Sequence, residues 1–496
     1  MSRSSILMLG LVAGTTLLAG CSFAPAAQQP EAIDAMPERF AQAETLATYA
    51  PLAWWSRFDD PVLERLVDST LVSNLDLAEA VARVEAAAAQ ARVSRAALFP
   101  SLNGTVSGSY QNQSLENLAA QFGGAGPPGA PPGEGPPDDG GEDEPDRIEI
   151  EQYSAAVGLS YELDFWGRVR NSTKAAYADA AAAASDLRTA QLGVISTLVS
   201  TYFEVVDLRE RIRLTLSTVD LLAERVELTE DRYERGLVTS FELYRILQDY
   251  RTTQAGLPQL EADLTDAEGR LAVLVGRYAG QIDDLLPDAL DPQLPLTAVP
   301  VDQPSEILFQ RPDVRSALLR YEAARYRIGA ARASLLPSLS LSGQLGTQGI
   351  SPGDVLDVGN WFSSLTGNLT APLFQGGRLR ANLSASEAAY AQQGAAYART
   401  VLTAYQEAES ALERHEEERQ RFEFLQSQLD EATAQADLQT RRYRQGVGDY
   451  TAFLDAQRNE LLVRTSLSAA GRSVALARLG VHRALGGDWT DQPPFN

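Results

Sequence analysis

Few residues in this 496-residue chain are of the types that carry out chemistry in proteins. The chain has one cysteine, Cys21, and two histidines, His415 and His482, which lie far apart in the sequence. A disulfide within the chain, a zinc cluster and a paired-histidine metal site are therefore excluded. We predict no catalytic residues, no metal and no cofactor, and hence no enzyme.

Two further ligand-binding patterns fall within residues 123–146, a stretch rich in glycine, proline and acidic residues. Gly124-x-Gly126-x-x-Gly129 has the spacing of a dinucleotide-binding loop, but no strand precedes it and no helix follows it. The acidic run that ends at Asp146 lacks the spaced carbonyls and the glycine that hold a calcium ion. The composition instead predicts a disordered loop.

Charge and hydropathy narrow the class of protein further. Lysine and arginine total 42 against 66 aspartate and glutamate, so the net charge is −24. This balance argues against nucleic acid as a partner and against a basic patch that binds anionic lipid. After the N-terminal segment, no apolar run approaches the roughly 20 residues of a transmembrane helix. A bundle of transmembrane helices is therefore excluded.

The N-terminal segment has the pattern of an export signal. Arg3 precedes an apolar stretch, 6–18, that suits a signal peptide but is too short for a permanent anchor. Leu18-Ala19-Gly20-Cys21 resembles the lipobox of bacterial lipoproteins, in which the cysteine receives a diacylglyceryl group. We expect a signal peptide over 1–20, a lipidated linker over 21–53 and, because Ser22 follows the cysteine, sorting to the outer membrane.

Three segments of the first half return in the same order in the second half, which predicts a twofold internal repeat. We expect a first repeat over 54–286, an equatorial connection over 287–304, a second repeat over 305–489 and a C-terminal tail over 490–496. The matching pairs are 98–102 with 335–339, 167–170 with 377–380, and 232–236 with 442–446.

Each half contains two stretches in which apolar and polar residues alternate, which is typical of strands with one apolar face. Leu102 and Val106 alternate with Thr105 and Ser107, for example. The predicted strands cover about 101–111, 152–164, 337–347 and 361–373. Alternation alone favours a soluble antiparallel sheet with one solvated face, but the predicted outer-membrane address reverses this preference and favours strands that cross a membrane.

Four such strands cannot close into a barrel, and an open sheet edge in lipid leaves backbone groups unpaired at a cost of several kcal/mol each. The chain must therefore oligomerise. Two copies would give eight strands and a filled interior, whereas three would give 12 strands and room for a channel. The residues alone leave both possibilities open.

Most of the remaining chain is predicted to be helical. Two long helical hairpins are expected over about 168–280 and 377–485, with turns at Gly236 and Gly446. Helices this long do not fit a compact domain, so we expect them to pack as a bundle or tube.

At this point the chain resembles a known family, the TolC-like outer-membrane efflux channels, and in particular their NodT-type lipoprotein branch. The resemblance covers about 54–489, and no single motif decides it. The motifs that carry it are Leu257-Pro258-Gln259-Leu260-Glu261-Ala262, Arg311-Pro312-Asp313-Val314, Leu454-Asp455-Ala456-Gln457-Arg458 and Ala484-Leu485-Gly486-Gly487-Asp488-Trp489. The long acidic insert is a departure from the family pattern.

The resemblance implies an α+β membrane protein, in which a homotrimer forms one 12-stranded β-barrel in outer-membrane lipid, continued by an α-barrel of long helices in the periplasm. It further implies the exit duct of a tripartite efflux pump, with a periplasmic adaptor protein and an inner-membrane transporter as partners. The alternatives are a type I secretion exit channel, a general porin and a structural lipoprotein that spans the periplasm. A porin would not need the long helices, and a structural lipoprotein would not need the strands. The sequence does not identify the cargo.

By the same resemblance, the periplasmic end is closed by contacts between helical hairpins. Glu242 takes the place of a gating carboxylate in the first hairpin, and Tyr443 and Asp455 match its partners in the second. Gly448 stands where the family carries a basic residue, so Arg442 or Arg444 is the available substitute. The turns at Gly236 and Gly446 are implied as the docking site for the adaptor.

The lipobox generates a direct prediction. Mass spectrometry of the mature N-terminus should find acylated Cys21, and Cys21→Ser should release the chain from the membrane or leave it unprocessed. An unmodified N-terminus that begins at any other residue would show the prediction to be wrong.

Overall fold

The computed structural model describes residues 23–26, 28–30, 33, 54–114, 147–282, 284–287 and 305–487. Cys21, the signal peptide, the acidic loop and the C-terminal tail lie outside the described residues. A short 3₁₀ helix over Trp54–Phe58 precedes the main elements. These are α1 (Pro61–Ser73), α2 (Leu75–Ala96), β1 (Ser101–Ser114), β2 (Arg147–Leu163), α3 (Arg168–Glu234), α4 (Ser240–Leu274), α5 (Pro312–Ala333), β3 (Ser338–Gly349), β4 (Trp361–Thr370), α6 (Arg378–Arg444) and α7 (Tyr450–Ala484).

The described residues are mostly helical and contain four strands, as the sequence predicts. Helix lengths agree between the two halves, since α3 and α6 have 67 residues each and α4 and α7 have 35 each. Among the described residues, no helix is both long enough and apolar enough to cross a membrane.

The four strands form one antiparallel sheet in chain order. β1 pairs with β2 from Ser101 opposite Ser160 to Ser114 opposite Arg147. β2 then pairs with β3, and β3 with β4. Because the sheet has this order, the outer edges of β1 and β4 are its two ends.

One face of the sheet is apolar and exposed. Val106 of β1 is 85% exposed, and Leu365 of β4 is 72% exposed. On the other face, the hydroxyls of Ser107 and Ser154 lie 2.9 Å apart across the β1–β2 pair. This segregation is the pattern of a strand between lipid and a wet lumen.

Three strand ends differ from the sequence prediction by three residues or more. β1 ends at Ser114, three residues later than predicted, and β2 begins at Arg147, five residues earlier, because the two strands pair throughout this hairpin arm. β4 ends at Thr370, before the predicted residue 373, and Pro372 follows it. Proline has no N–H to donate to a sheet, so the strand cannot continue through it.

The described residues divide into two compact units. One unit contains residues 90–175 and 325–387, and therefore the four strands. The other contains residues 26–89, 176–324 and 388–496 in its span, and therefore the two hairpin turns.

The second unit has its main core where α1, α3, α4 and α7 meet. Its largest fully buried side chains include Trp54, Phe58, Tyr202 and Phe203. Asp60 links two parts of this core with one carboxylate. Its Oδ1 accepts the backbone N–H groups of Val62 and Leu63 at the start of α1, and its Oδ2 accepts the Tyr202 hydroxyl of α3 at 2.5 Å.

Both histidines are buried in this unit rather than gathered at a site. His482 stacks on Trp54 with ring centroids 5.4 Å apart. Burial and the nearby Arg478 lower the pKa of His415. Its neutral form therefore predominates near pH 7, as expected for a packed imidazole.

The connection after α4 contains two glycines in the left-handed conformation, and one of them is closely packed. Gly276 has φ +70°, and a Cβ at this position would collide with the carbonyl oxygen of Ser73. Gly280 has φ +80° but faces open space. The two glycines therefore need the same backbone freedom but differ in their surroundings.

We predict that Gly276→Ala lowers the thermal stability of the detergent-solubilised protein more than Gly280→Ala does. Both changes carry the cost of a left-handed alanine, about 1–2 kcal/mol, and only Gly276→Ala adds a steric clash. Circular dichroism melts of the two variants measure the difference. Equal melting temperatures would contradict the close approach of residues 73 and 276.

Candidate gate at the helical hairpin turns

Each long helix ends in a turn that glycine makes possible. Gly236 and Gly446 have φ values of +71° and +74°, in the left-handed region that favours glycine. Leu237 donates its backbone N–H to Arg232, and Val447 donates its own to Arg442. These bonds close the last turns of α3 and α6 in the same way.

The return helices begin with side-chain caps. Thr239 and Glu242 form a capping box at the start of α4, in which the Glu242 carboxylate accepts the Thr239 N–H at 3.2 Å. Asp449 caps α7 by accepting the N–H of Ala452. Each cap satisfies backbone groups that would otherwise lack partners, so the turns are well defined.

An aromatic cluster joins the two hairpins beside these turns. Tyr443 stacks on Phe453 with centroids 5.1 Å apart, and the Tyr450 ring lies 5.4 Å from that of Tyr443. Ile246 of α4 is fully buried against this cluster. The cluster therefore brings α4 into contact with the second hairpin.

Two arginines of α3 also contact this cluster. Arg232 donates a hydrogen bond to the Tyr443 hydroxyl. The guanidinium of Arg225 lies 4.6 Å from the centre of the Phe453 ring, a cation–π contact. Burial raises the pKa of the neighbouring Tyr450 hydroxyl, so it stays protonated.

Two ion pairs also connect α4 with α7. A guanidinium nitrogen of Arg245 lies 3.7 Å from a carboxylate oxygen of Asp455, and a guanidinium nitrogen of Arg458 lies 3.7 Å from a carboxylate oxygen of Asp249. The side chains are partly exposed and the distances are long, so each pair contributes at most about 1 kcal/mol. Contacts of this size can be broken and remade without unfolding a helix.

The structure thus distributes the three predicted gate residues over different contacts. Tyr443 lies in the aromatic cluster, and Asp455 faces Arg245. Glu242 forms its hydrogen bonds within its own turn.

The arginine partners were not predicted from the sequence. Arg442 and Arg444 were named as possible partners, whereas the contact to Tyr443 comes from Arg232. A signal for the ion pairs was nevertheless present. Arg245 and Asp249 on one helix have the opposite charge order to Asp455 and Arg458 on the other.

The turns also present apolar side chains to solvent. Leu237 and Val447 follow the two turn glycines, and Phe241 and Tyr244 lie in the first turns of α4. All four are exposed, with Phe241 at 72%. An exposed group of large apolar residues at a helix end is typical of a protein interaction surface.

Among the described residues, no group of three or more histidine, cysteine, aspartate or glutamate side chains could hold a metal ion. Gly349-Ile350-Ser351-Pro352-Gly353 has the spacing of a nucleophile elbow; Gly349 is the last residue of β3, and the other four residues lie in the turn after it. A three-residue 3₁₀ helix follows this turn rather than the long helix that a nucleophile elbow requires.

Comparison with known proteins identifies the class. The family model for outer membrane efflux proteins matches residues 66–277 and 303–487. The toluene efflux pump outer membrane protein TtgC of Pseudomonas putida is 32% identical, and the alignment covers 98% of this chain and 96% of TtgC. SilC of Salmonella typhimurium, named as a probable outer membrane lipoprotein, is 27% identical over 96% of this chain and 97% of its own.

A solved structure agrees with the sequence relatives. The outer-membrane channel OprN superposes with a TM-score of 0.80 at 27% identity, covering 94% of this chain and 99% of its own. These findings place the chain among outer-membrane channels. It belongs to the outer membrane efflux protein family and is an outer-membrane efflux channel, as the sequence predicts.

Proposed function

We propose that three copies of this chain form one continuous duct through which an efflux system expels its cargo. The observation that carries the proposal is the four-stranded sheet with its exposed apolar face and two outer edges. Three such sheets joined edge to edge would give a closed barrel of 12 strands, wide enough for a channel. The exposed Leu365 and Val106 would then face lipid, and the hydroxyls of Ser107 and Ser154 would line the lumen.

The proposal includes a twofold internal repeat within each chain. Residues 54–286 and 305–489 would be two copies of one structural unit. The equal lengths of α3 and α6, and of α4 and α7, support it. The family model also matches one stretch in each half.

The proposed duct and its exposed apolar turns also indicate two protein partners. A periplasmic adaptor protein would dock on the turns at Gly236 and Gly446, where Leu237, Phe241 and Val447 are exposed. An inner-membrane transporter would supply cargo and energy through this adaptor. The lipid on Cys21 would hold the mature N-terminus on the periplasmic leaflet of the outer membrane.

The hairpin contacts would form the gate of the duct. Tyr443 and Asp455 would hold the second hairpin against the first through Arg232 and Arg245, and adaptor docking would compete with these bonds. Weak, partly exposed bonds suit this role because a partner can break them with a modest differential binding energy. Glu242 would contribute to the gate indirectly, by fixing the geometry of the turn that it caps with Thr239.

We predict that the double variant Tyr443→Phe with Asp455→Ala conducts more current at rest in planar bilayers than the unmodified protein. It removes the hydroxyl that Arg232 contacts and the carboxylate near Arg245. A combined loss of about 1–2 kcal/mol would raise the ratio of open to closed channels roughly 5–30-fold.

A matched control is Tyr233→Phe with Asp231→Ala. It makes the same chemical changes beside the first turn, where Tyr233 is exposed and Asp231 pairs with Arg235 of its own helix. High resting conductance in the unmodified protein, or an equal rise in the control, would remove Tyr443 and Asp455 from the gate.

A further inference from the structure

The loop between β3 and β4 exposes a group of large apolar side chains. Ile350, Leu356 and Val358 are 78%, 88% and 83% exposed, and Trp361, the first residue of β4, is 63% exposed. An exposed apolar group of this size generally marks an interaction surface. Residues 350–360 are called the flap below.

The flap lies at the end of the sheet opposite to the long helices. The chain enters β3 from α5 at Ser338 and leaves β4 toward α6, which begins at Arg378. The helices therefore adjoin the first residues of β3 and the last residues of β4, and the flap joins the other two ends. In the proposed duct this end of the sheet would face the exterior of the cell.

Two contacts place the flap on one particular face of the sheet. The Thr347 hydroxyl donates to the backbone carbonyl of Val355 at 2.7 Å. A Cβ on Gly349 would collide with the side chain of Asp354. Thr347 and Gly349 alternate in phase with Leu345 along β3, so these three positions share a face.

This face is the exposed apolar face of the sheet. Thr347 is paired with Trp361 of β4, and directly paired residues of antiparallel strands lie on the same face. Trp361 is in turn in phase with the exposed Leu365. Because Val355 returns to the level of Thr347, the flap folds outward and back along the apolar face.

Many backbone N–H groups of the flap are paired within it. The Asp354 carboxylate accepts the N–H groups of Ile350 and Ser351 at 3.0 and 2.9 Å, and the Asp357 carboxylate accepts that of Gly359 at 2.8 Å. A loop with internally paired backbone groups approaches hydrocarbon at a lower cost than a loop that needs water. Backbone carbonyls of the flap also accept the N–H groups of Asp354, Leu356, Asp357 and Asn360.

A charged residue limits the apolar surface beside the flap. Tyr153 of β2 lies opposite Gly349, and the next residue on the same face of β2 is Glu151, which is exposed. The carboxylate marks the side of the sheet end that favours water. The flap turns back from this level toward Thr347, and therefore toward the apolar side of the boundary.

We propose that the flap binds the outer leaflet of the membrane, with Leu356 and Val358 among the acyl chains. The inference rests on the proposed barrel, in which the apolar face of the sheet meets lipid. The occupant is lipid because the flap lies on that face and continues its exposed apolar surface. The flap would thereby hold the outer rim of the barrel at a fixed depth in the leaflet.

The test uses Leu356→Cys, labelled with an environment-sensitive fluorophore, in the full-length protein in phosphatidylcholine vesicles. The unmodified protein, whose single cysteine is Cys21, is the labelling blank. We expect lipids that carry a nitroxide near the headgroup to quench the label strongly, and aqueous iodide to quench it weakly. Leu365→Cys on the apolar face is the reference for a lipid position, and Glu151→Cys is the reference for an aqueous position.

A matched pair of glycine variants tests the geometry of the flap. Gly349→Ala places a Cβ against Asp354, whereas a Cβ on Gly353 would meet only one atom within 4 Å, at 3.9 Å. Combined with Leu356→Cys, Gly349→Ala should displace the flap and raise iodide quenching of the label several-fold, and Gly353→Ala should leave it unchanged. The label of Leu365→Cys should respond to neither change, which checks that the sheet remains intact.

The outcomes separate the flap from the barrel. Iodide quenching at position 356 together with lipid quenching at position 365 would overturn the flap and leave the barrel standing. Iodide quenching at both positions would contradict the proposed barrel and, with it, the flap. A label at position 356 that neither quencher reaches would mean that protein covers the flap, which overturns lipid as its occupant. Equal quenching in the two glycine variants would contradict the contact at Gly349.

Discussion

Backbone hydrogen bonding at the edges of a small sheet constrains everything else in this protein. β1 and β4 are the ends of a four-stranded sheet whose apolar face is exposed. In hydrocarbon no water can pair with an open edge, so each unpaired group costs several kcal/mol. This cost opposes a single open sheet in a membrane, and it is the physical reason for the proposed closure by further copies. The proposed duct is a consequence of this closure.

The contacts between the helical hairpins are much weaker than the pairing of strand edges in lipid. Edge pairing in lipid adds up over 10 or more residues of a strand, as in the 14-residue β1. The contacts of Arg232 with Tyr443 and of Arg245 with Asp455 are few, and they are partly exposed to water. In the proposed duct, pairing between strands in the barrel would be permanent, whereas the contacts between the hairpins would be reversible. That contrast is what a gated channel requires.

The sequence predicts the features that depend on local patterns. Alternation of Leu102 and Val106 with Thr105 and Ser107 identifies a strand and its two faces, because side chains alternate across a sheet. Gly236 and Gly446 identify the turns, because only a residue without Cβ readily takes the left-handed conformation there.

Features that depend on tertiary contacts were harder to predict. The early start of β2 depends on pairing with β1, and the cation–π contact of Arg225 with Phe453 joins residues more than 200 positions apart. Gly329 of α5 lies close to the backbone of Ala24, although the sequence presents it as an ordinary glycine within a helix. Such contacts carry no short-range signal, because the residues that form them meet only after the chain has folded.

Native mass spectrometry of the detergent-extracted protein tests the central claim most directly, because it counts the chains that close the sheet. The account predicts a complex with the mass of three mature, acylated chains. A stable monomer or dimer that retains a complete, conducting barrel would contradict it.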